Sequence, residues 1–233
     1  MTWSLTPDEI SAVKLSLWVA GWAAASSFPL GLALAWVLSR KSFPGKAVLD
    51  ALVHLPLVLP PVVTGYLLLV WCGRKGVIGG WLHDVLGITL AFNWKGAVLA
   101  SVVMALPLMV RAMRLSFDNV DRGLEAAART LGAGKSRVFF TVTVPLAAPG
   151  LLTGLILAFA RSLGEFGATI TFVSNIPGET RTIPIAIYGL TQVPDGESRA
   201  MLLCLISVLI SLAALASSEI LQQRTSRWLR GRS

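Results

Sequence analysis

Charged residues and metal-ligating residues are both scarce in this sequence. Only 14% of its 233 residues are Asp, Glu, Lys or Arg, and it contains two cysteines and two histidines. Cys72 and Cys204 lie in or beside apolar segments, and neither has a second potential ligand nearby in the sequence. The spacing therefore indicates neither a metal site nor a disulfide framework, and we expect both cysteines to be packing residues. Because no nucleophile lies beside a base, we also expect no catalytic centre in this chain.

A phosphate-binding loop is also missing. The segment 132–136 reads Gly-Ala-Gly-Lys-Ser and ends like such a loop, but it lacks the first glycine at the required spacing and a preceding strand. We interpret the similarity as accidental. The sequence therefore predicts no nucleotide site of its own.

Apolar residues, by contrast, are abundant. They make up 55% of the chain, and the mean hydropathy is +0.71, well outside the usual range of soluble domains. A helix needs about 20 apolar residues to cross roughly 30 Å of hydrocarbon, and it leaves no backbone group unpaired there. No internal repeat or linker is evident. The sequence predicts an all-α fold, a polytopic membrane helical bundle in which residues 1–233 form a single domain.

Five apolar stretches are long enough to cross the membrane. Pro56, Pro60 and Pro61 must bend the second, because each removes a backbone donor and crowds the preceding turn. The segment 181–192 is too short to cross alone, so we interpret it as re-entrant or interfacial. As a sixth span it would reverse the C-terminal tail. The five predicted spans cover about 10–38, 51–72, 88–110, 146–173 and 200–218.

Thirteen of the 20 basic residues fall on one side of this arrangement. Lys and Arg collect on the cytoplasmic side of membrane proteins, so the N-terminus is predicted outside and the C-terminus inside, which requires an odd number of spans. The basic residues are distributed among loops and form no stripe, so we expect no nucleic-acid partner despite the net charge of +8. The thirteen are Arg40, Lys41, Lys46, Arg111, Arg114, Arg122, Arg129, Lys135, Arg137, Arg224, Arg227, Arg230 and Arg232.

The loop at about 118–145 contains the signals of a short helix. Asp121 is a suitable N-terminal cap, and Glu125 lies near the positive end of the helix dipole. Gly132 and Gly134 are placed to end the helix. The sequence therefore predicts a helix of two to three turns between two spans.

This helix is predicted to be amphipathic. Leu124, Ala128 and Leu131 share one face at helical spacing, whereas Arg122 and Arg129 project elsewhere. Periodicity alone leaves two interpretations open. The apolar face lies on lipid, as in an interfacial helix, or its small alanines allow a partner to approach the helix backbone closely.

The same loop resembles the coupling loop of ABC-importer permeases. That loop holds a Glu-Ala-Ala element, then a glycine, then an aliphatic-x-aliphatic-Pro ending, which Gly132 and the sequence Val-Thr-Val-Pro at 142–145 match. Glu125 lies one residue farther from the glycine than in the general pattern, so Ala126 occupies the usual Glu place. The resemblance implies an ATPase-coupling surface formed by Leu124, Glu125, Ala126, Ala127, Ala128, Leu131, Gly132 and Pro145.

Further motifs spread the resemblance over most of the chain, to the oxyanion branch of these permeases. They are SFPGK at 42–46, HLPLVLPP at 54–61, AARTLG at 127–132, ARSLGEFGA at 160–168 and FVSNIPGETRTIP at 172–184. Sulfate permeases share much of this pattern, including Gly-Glu-Phe-Gly, whereas the last string favours the molybdate permeases. We therefore expect a permease for molybdate, with sulfate, thiosulfate or tungstate as the alternatives.

The resemblance also implies an assembly and a location. It implies a homodimer of permease subunits in the bacterial inner membrane, two cytoplasmic ABC ATPase subunits that hydrolyse the ATP, and a periplasmic molybdate-binding protein. The chain itself is then no enzyme and binds no cofactor or metal. A self-contained secondary transporter is the rival of another class, but it would need an internal repeat or several carboxylates within the spans, and a purely structural scaffold is a third option.

Six residues are candidates for a translocation path or its gate. Arg161 and Glu165 are four residues apart and can pair on one helix face, either as a structural ion pair or as part of the path. The prolines of the second span either only kink a packed helix or expose carbonyls to a pore. The candidates are Pro60, Pro61, Arg161, Gly164, Glu165 and Gly167.

Overall fold

The computed structural model describes the backbone of residues 5–230 and, within that range, the side chains of all residues except 218 and 221–230. Every regular element in the described range is helical, which confirms the predicted all-α fold. The elements are α1 (Pro7–Arg40), α2 (Lys46–Val58), α3 (Pro61–Cys72), α4 (Val77–Leu86), α5 (Trp94–Asp118), α6 (Arg122–Thr130), α7 (Lys135–Val138), a π-helical turn (Phe139–Thr143), α8 (Val144–Leu163), α9 (Gly167–Val173), α10 (Ile183–Thr191) and α11 (Glu197–Arg230).

Four helical segments of the described chain are long and apolar enough to cross a membrane, and the bent pair α2 and α3 makes a fifth if it counts as one span. The third predicted span is shifted. It begins at Trp94 because the Asn93 side chain caps the helix by accepting the Lys95 N–H at 3.0 Å, and it continues to Asp118. The fourth predicted span, continuous from 146 to 173, is wrong because its helix ends at Leu163 and a separate α9 follows.

The centre of the bundle is formed by α1, α5 and α8. Larger side chains of α5, among them Met109, Met113 and Phe117, are completely buried there. A Cβ added to Gly31 would lie 2.6 Å from the Met109 sulfur, so a larger residue at this crossing would have to displace the Met109 side chain. Small residues on one side of α1 allow this close packing, as is typical of membrane helices. The buried small residues of α1 are Ala12, Ser16, Ala20, Ala23, Ala24, Ser27, Gly31 and Ala35.

The second span is broken into two helices. Between α2 and α3 the chain turns by 112°. Leu59 and Pro60 are not helical, and Pro61 is the first residue of α3, where its missing N–H costs no helical hydrogen bond. Pro56 lies inside α2 without ending it, so the predicted bend is confirmed and comes from Pro60 and Pro61.

Polar contacts attach α2 and α11 to the central helices. On α2, both carboxylate oxygens of Asp50 accept hydrogen bonds from Arg114 Nη1, each at 3.1 Å. At the end of the bundle where the chain begins, Glu9 Oε1 lies 2.9 Å from Arg199 Nε. These ion pairs join helices that are far apart in the sequence.

Helix α10 lies in the segment interpreted as re-entrant or interfacial. Its nine residues extend about 14 Å, roughly half the thickness of the hydrocarbon core. The Ile183 N–H donates to Ser16 Oγ at 2.7 Å, and Ser16 lies nine residues into α1. Helix α10 therefore begins well inside the first span and is too short to form a sixth.

A topology experiment tests whether the bent pair crosses the membrane. We expect a reporter inserted after Lys46 to be cytoplasmic and one inserted after Lys75 to be periplasmic, since α2 and α3 lie between them. Paired alkaline phosphatase and fluorescent-protein fusions at the two sites are the measurement. A fusion after Lys135, expected in the cytoplasm, is the control. If Lys46 and Lys75 report the same side, the chain has an even number of spans and the predicted orientation is wrong.

Candidate functional site

The loop helix α6 begins and ends at the predicted residues. Asp121 is its N-terminal cap and accepts the Gly123 N–H at 2.7 Å. Beyond its other end Gly132 adopts φ +84°, a left-handed conformation that favours glycine, and the Ala133 N–H donates to the Ala128 carbonyl at 3.1 Å. Short-range signals in the sequence therefore suffice to set the bounds of this helix.

The two sides of α6 have different surroundings. Leu124, Ala127, Ala128 and Leu131 lie on one side, and the exposed fractions of Leu124 and Leu131 are 49% and 88%. This apolar side therefore does not pack on the rest of the described chain, and it is the side available to lipid or to a partner. Arg122, Glu125, Ala126 and Arg129 lie on the opposite side, which faces the end of α1.

Glu125 attaches α6 to the bundle. Its carboxylate is largely buried, lies 3.1 Å from Arg40 Nη2 and accepts the Thr143 hydroxyl at 2.7 Å. Arg40 is the last residue of α1, and Thr143 directly precedes α8. One carboxylate thus holds together three elements that meet at this end of the bundle. Glu125 was predicted to lie near the helix dipole and, from the resemblance, on the ATPase-coupling surface. Its carboxylate instead faces the bundle, and its partners could not be predicted because neither is close to it in sequence.

The chain enters α8 through the π-helical turn. Pro145, a predicted loop residue, is the second residue of α8, and the Val144 N–H bonds to the Phe139 carbonyl five residues earlier. The Phe139 ring packs edge-on against Trp36 of α1, with ring centres 5.7 Å apart, and also stacks on Phe117 of α5. The loop is therefore joined to α1 and α5 by side-chain packing and to α8 by the chain itself.

The prolines of the second span and the glycines of the fourth lie together. A Cβ added to Gly167 would lie 2.7 Å from the Pro61 Cβ, and one added to Gly65 would lie 2.5 Å from the Ala168 carbonyl oxygen. The backbones of α3 and α9 are therefore in direct contact. The break between α2 and α3 faces the break between α8 and α9. The structure thus brings together Pro60, Pro61 and Gly167, which the sequence analysis could only name separately.

Arg161 and Glu165 pair at the break between α8 and α9, which we call the second break. Arg161 Nη1 lies 2.7 Å from Glu165 Oε2, and the Glu165 side chain is only 1% exposed. The predicted pair is confirmed, although not on one continuous helix, because α8 ends at Leu163 and Glu165 lies in the break. Its other oxygen, Oε1, accepts the Ala168 N–H at 2.9 Å and so satisfies a free backbone donor at the start of α9.

Other polar atoms near the breaks are buried without a partner. The hydroxyls of Thr64, four residues after Pro60, and of Ser162, two before Gly164, have no hydrogen-bond partner among the described residues. A Cβ added to Gly164 would meet nothing within 4 Å, so close packing does not explain this glycine. Within the same described range, no group of three or more His, Cys, Asp or Glu residues is arranged to hold a metal ion.

Known proteins resemble this chain over almost its full length. The family described as "Binding-protein-dependent transport system inner membrane component" matches residues 27–227. The molybdenum transport system permease protein ModB of Escherichia coli (strain K12) is 62% identical over 98% of this chain and 99% of its own length. ModB of Haemophilus influenzae is 57% identical over 95% and 96%. A probable sulfate transport system permease protein of Nephroselmis olivacea is 35% identical over 96% and 78%.

The fold also has solved counterparts. A bacterial alginate ABC transporter, in complex with alginate pentasaccharide-bound periplasmic protein, superposes with a TM-score of 0.75. The match covers 94% of this chain and 80% of that one, at 18% sequence identity, and therefore supports the fold alone.

The pair at the second break is testable by substitution. Removing either charge leaves its partner uncompensated in a largely buried site, so we expect Arg161→Met or Glu165→Gln to destabilise the protein by on the order of 3 kcal/mol. The double variant should be more stable than either single variant. The measurement is the melting temperature of the purified permease, with Arg137→Met as an exposed control. Strictly additive losses would show that the two charges do not interact.

Proposed function

Since this chain belongs to the binding-protein-dependent transport system inner-membrane components, we propose that it is the permease subunit of an ATP-driven importer for molybdate. The assignment of molybdate as the substrate rests on sequence identity. The identity to the molybdenum permeases is high over nearly the whole chain, whereas the identity to the sulfate permease is much lower. Sulfate and thiosulfate are therefore the less favoured substrates. Tungstate has nearly the size and charge of molybdate, so uptake measurements are needed to distinguish these two substrates.

The proposed assembly supplies what this chain lacks. Two copies of the permease form the membrane pore, two cytoplasmic ABC ATPase subunits bind and hydrolyse ATP, and a periplasmic protein captures the oxyanion. The permease itself binds no cofactor. Its N-terminus is outside and its C-terminus is in the cytoplasm, the orientation that the distribution of basic residues supports.

We assign the docking of the ATPase to the apolar side of α6. Leu124 and Leu131 are exposed there, and Ala127 and Ala128 between them leave room for a partner to approach the helix backbone. On its opposite side Glu125 binds α6 to Arg40 and Thr143. A displacement of α6 by the ATPase would therefore be passed to α1 and α8 together.

The same helix α8 leads from the loop to the second break. It runs from Val144, beside the loop, to Leu163, where Gly164, Glu165 and Phe166 interrupt the helix. Broken helices in transporters lie beside substrate pathways, because unpaired backbone and polar groups are tolerated only in protein or water. We assign the gate to the region where the two breaks meet. Rocking of the bundle around it would give alternating access.

Uptake measurements test the proposed substrate. In cells that lack their own molybdate importer, the chain with its ATPase and binding protein should restore ATP-dependent molybdate uptake. Excess tungstate should compete strongly, because its size and charge are nearly the same, whereas excess sulfate should compete weakly. Cells with the ATPase and the binding protein alone are the control. Sulfate uptake at the same rate as molybdate uptake would contradict the assignment.

A glycine pair in the loop tests the docking assignment. Gly132→Leu should weaken co-purification of the ATPase and lower uptake, because a side chain at φ +84° strains the end of α6. The matched control is Gly134→Leu. Gly134 has φ −65° and open space around its Cβ position, so we expect near-normal uptake. Equal behaviour of the two variants, with both inserted in the membrane, would show that the loop conformation does not matter for coupling.

A further inference from the structure

A basic pocket lies between the end of α1 and the inner side of α6. Its volume is about 440 Å³, and the Trp36 and Phe139 side chains form part of its wall. Five basic residues line it, with a single carboxylate among them. The charged lining residues are Arg40, Lys41, Arg122, Glu125, Arg129 and Lys135.

Within the protein, most of this positive charge is not neutralised. Glu125 pairs with Arg40 at 3.1 Å. Among the described residues, no carboxylate lies within ion-pair distance of Lys41, Arg122, Arg129 or Lys135. These four side chains are exposed, so water screens their repulsion, but their common sign around one cavity attracts an anion.

Arg40 contributes a largely buried guanidinium to the pocket. Its side chain is only 9% exposed, and both of its hydrogen bonds, to Glu125 and to the Val120 carbonyl, leave from Nη2. The Nε also has no hydrogen-bond partner among the residues that the structure describes, but it is itself fully buried, so only the other guanidinium nitrogens are available to a ligand. A guanidinium with unused donors is suited to oxyanions, whose oxygens accept its planar set of N–H groups.

The position of the pocket restricts the anion further. The pocket lies where the first span ends, and Lys41 Nζ lies over the Trp36 ring, 5.3 Å from its centre. An aromatic and basic border of this kind is typical of the membrane surface. Basic pockets beside cytoplasmic helix ends bind the headgroups of anionic lipids.

We propose that this pocket binds a tetrahedral oxyanion group, either the phosphate of an anionic lipid or a free oxyanion on the cytoplasmic side. The cytoplasmic location rests on the proposed topology, but the binding itself does not. A bound anion would lie against α1, α6 and α7 together. It would thereby stabilise the attachment of α6, and the occupancy of the pocket would regulate how firmly the loop is held.

Binding to the purified full-length permease tests the proposal without ATP or transport. The melting temperature is titrated with short-chain phosphatidylglycerol, phosphatidylcholine, inorganic phosphate or molybdate at constant ionic strength. The test variant is Lys41→Gln with Arg129→Gln, two exposed residues of the pocket. The control is Lys46→Gln with Arg137→Gln, which removes the same charge from the same side outside the pocket.

We expect the pocket variant to bind the anion about 25-fold more weakly, since each basic residue near a membrane surface contributes roughly fivefold. The control should change less than about twofold, because more distant charges are screened. Stabilisation by phosphatidylglycerol alone identifies a lipid ligand, and stabilisation by phosphate or molybdate identifies a free oxyanion.

Two results would overturn the proposal. One is the absence of stabilisation by any of the anions, and the other is an equal loss in the pocket and control variants. Should the double pocket variant not elute as a single species, Lys41→Gln and Arg129→Gln are compared separately with Arg137→Gln. Molybdate uptake by the same variants is measured in parallel, so that a failure of the pocket proposal is distinguished from a failure of the proposed transport function.

Discussion

The need to pair every backbone polar group inside the hydrocarbon governs the structure of this protein. A continuous helix meets that need within itself, but this chain interrupts two of its helices. The two interruptions lie beside each other, with α3 and α9 in contact at Gly65 and Gly167. Glu165 supplies one of the missing acceptors by binding the Ala168 N–H. A side chain thus replaces one of the backbone hydrogen bonds that the break between α8 and α9 removes.

The same constraint applies to the charged side chains. Arg161 and Glu165 form a pair beside one break, and Asp50 and Arg114 hold the bent second span against the central helix α5. At the loop, the pairing of Arg40 with Glu125 determines how α6 is oriented. Its apolar side remains exposed as a result. The fold thus presents a small apolar helix to the outside while its polar side is fixed to the bundle.

Much of the fold could be predicted from the sequence because its signals are local. Long apolar runs gave the approximate spans, and Asp121 and Gly132 set the bounds of the loop helix through contacts within a few residues. The partner of Glu125 could not be predicted, since Arg40 is 85 residues away and nothing in the spacing connects them. The end of α8 at Leu163 was missed because apolar residues resume after Glu165, so the two helices read as one long apolar stretch. The contact between the two breaks depends on tertiary packing, which no single segment encodes.

The separation between Arg40 and Glu125 has a consequence for the order in which the chain is made. Glu125 follows Arg40 by 85 positions, so Arg40 leaves the ribosome about 4 to 17 s before Glu125 does. During that time the first span is already available for insertion, and its terminal guanidinium must be solvated by water and lipid headgroups. Arg161 and Glu165, four residues apart, emerge almost together. During biosynthesis, therefore, Arg40 is present at the membrane surface before its partner Glu125 has been synthesised. Both members of the pair between α8 and α9 become available at almost the same time.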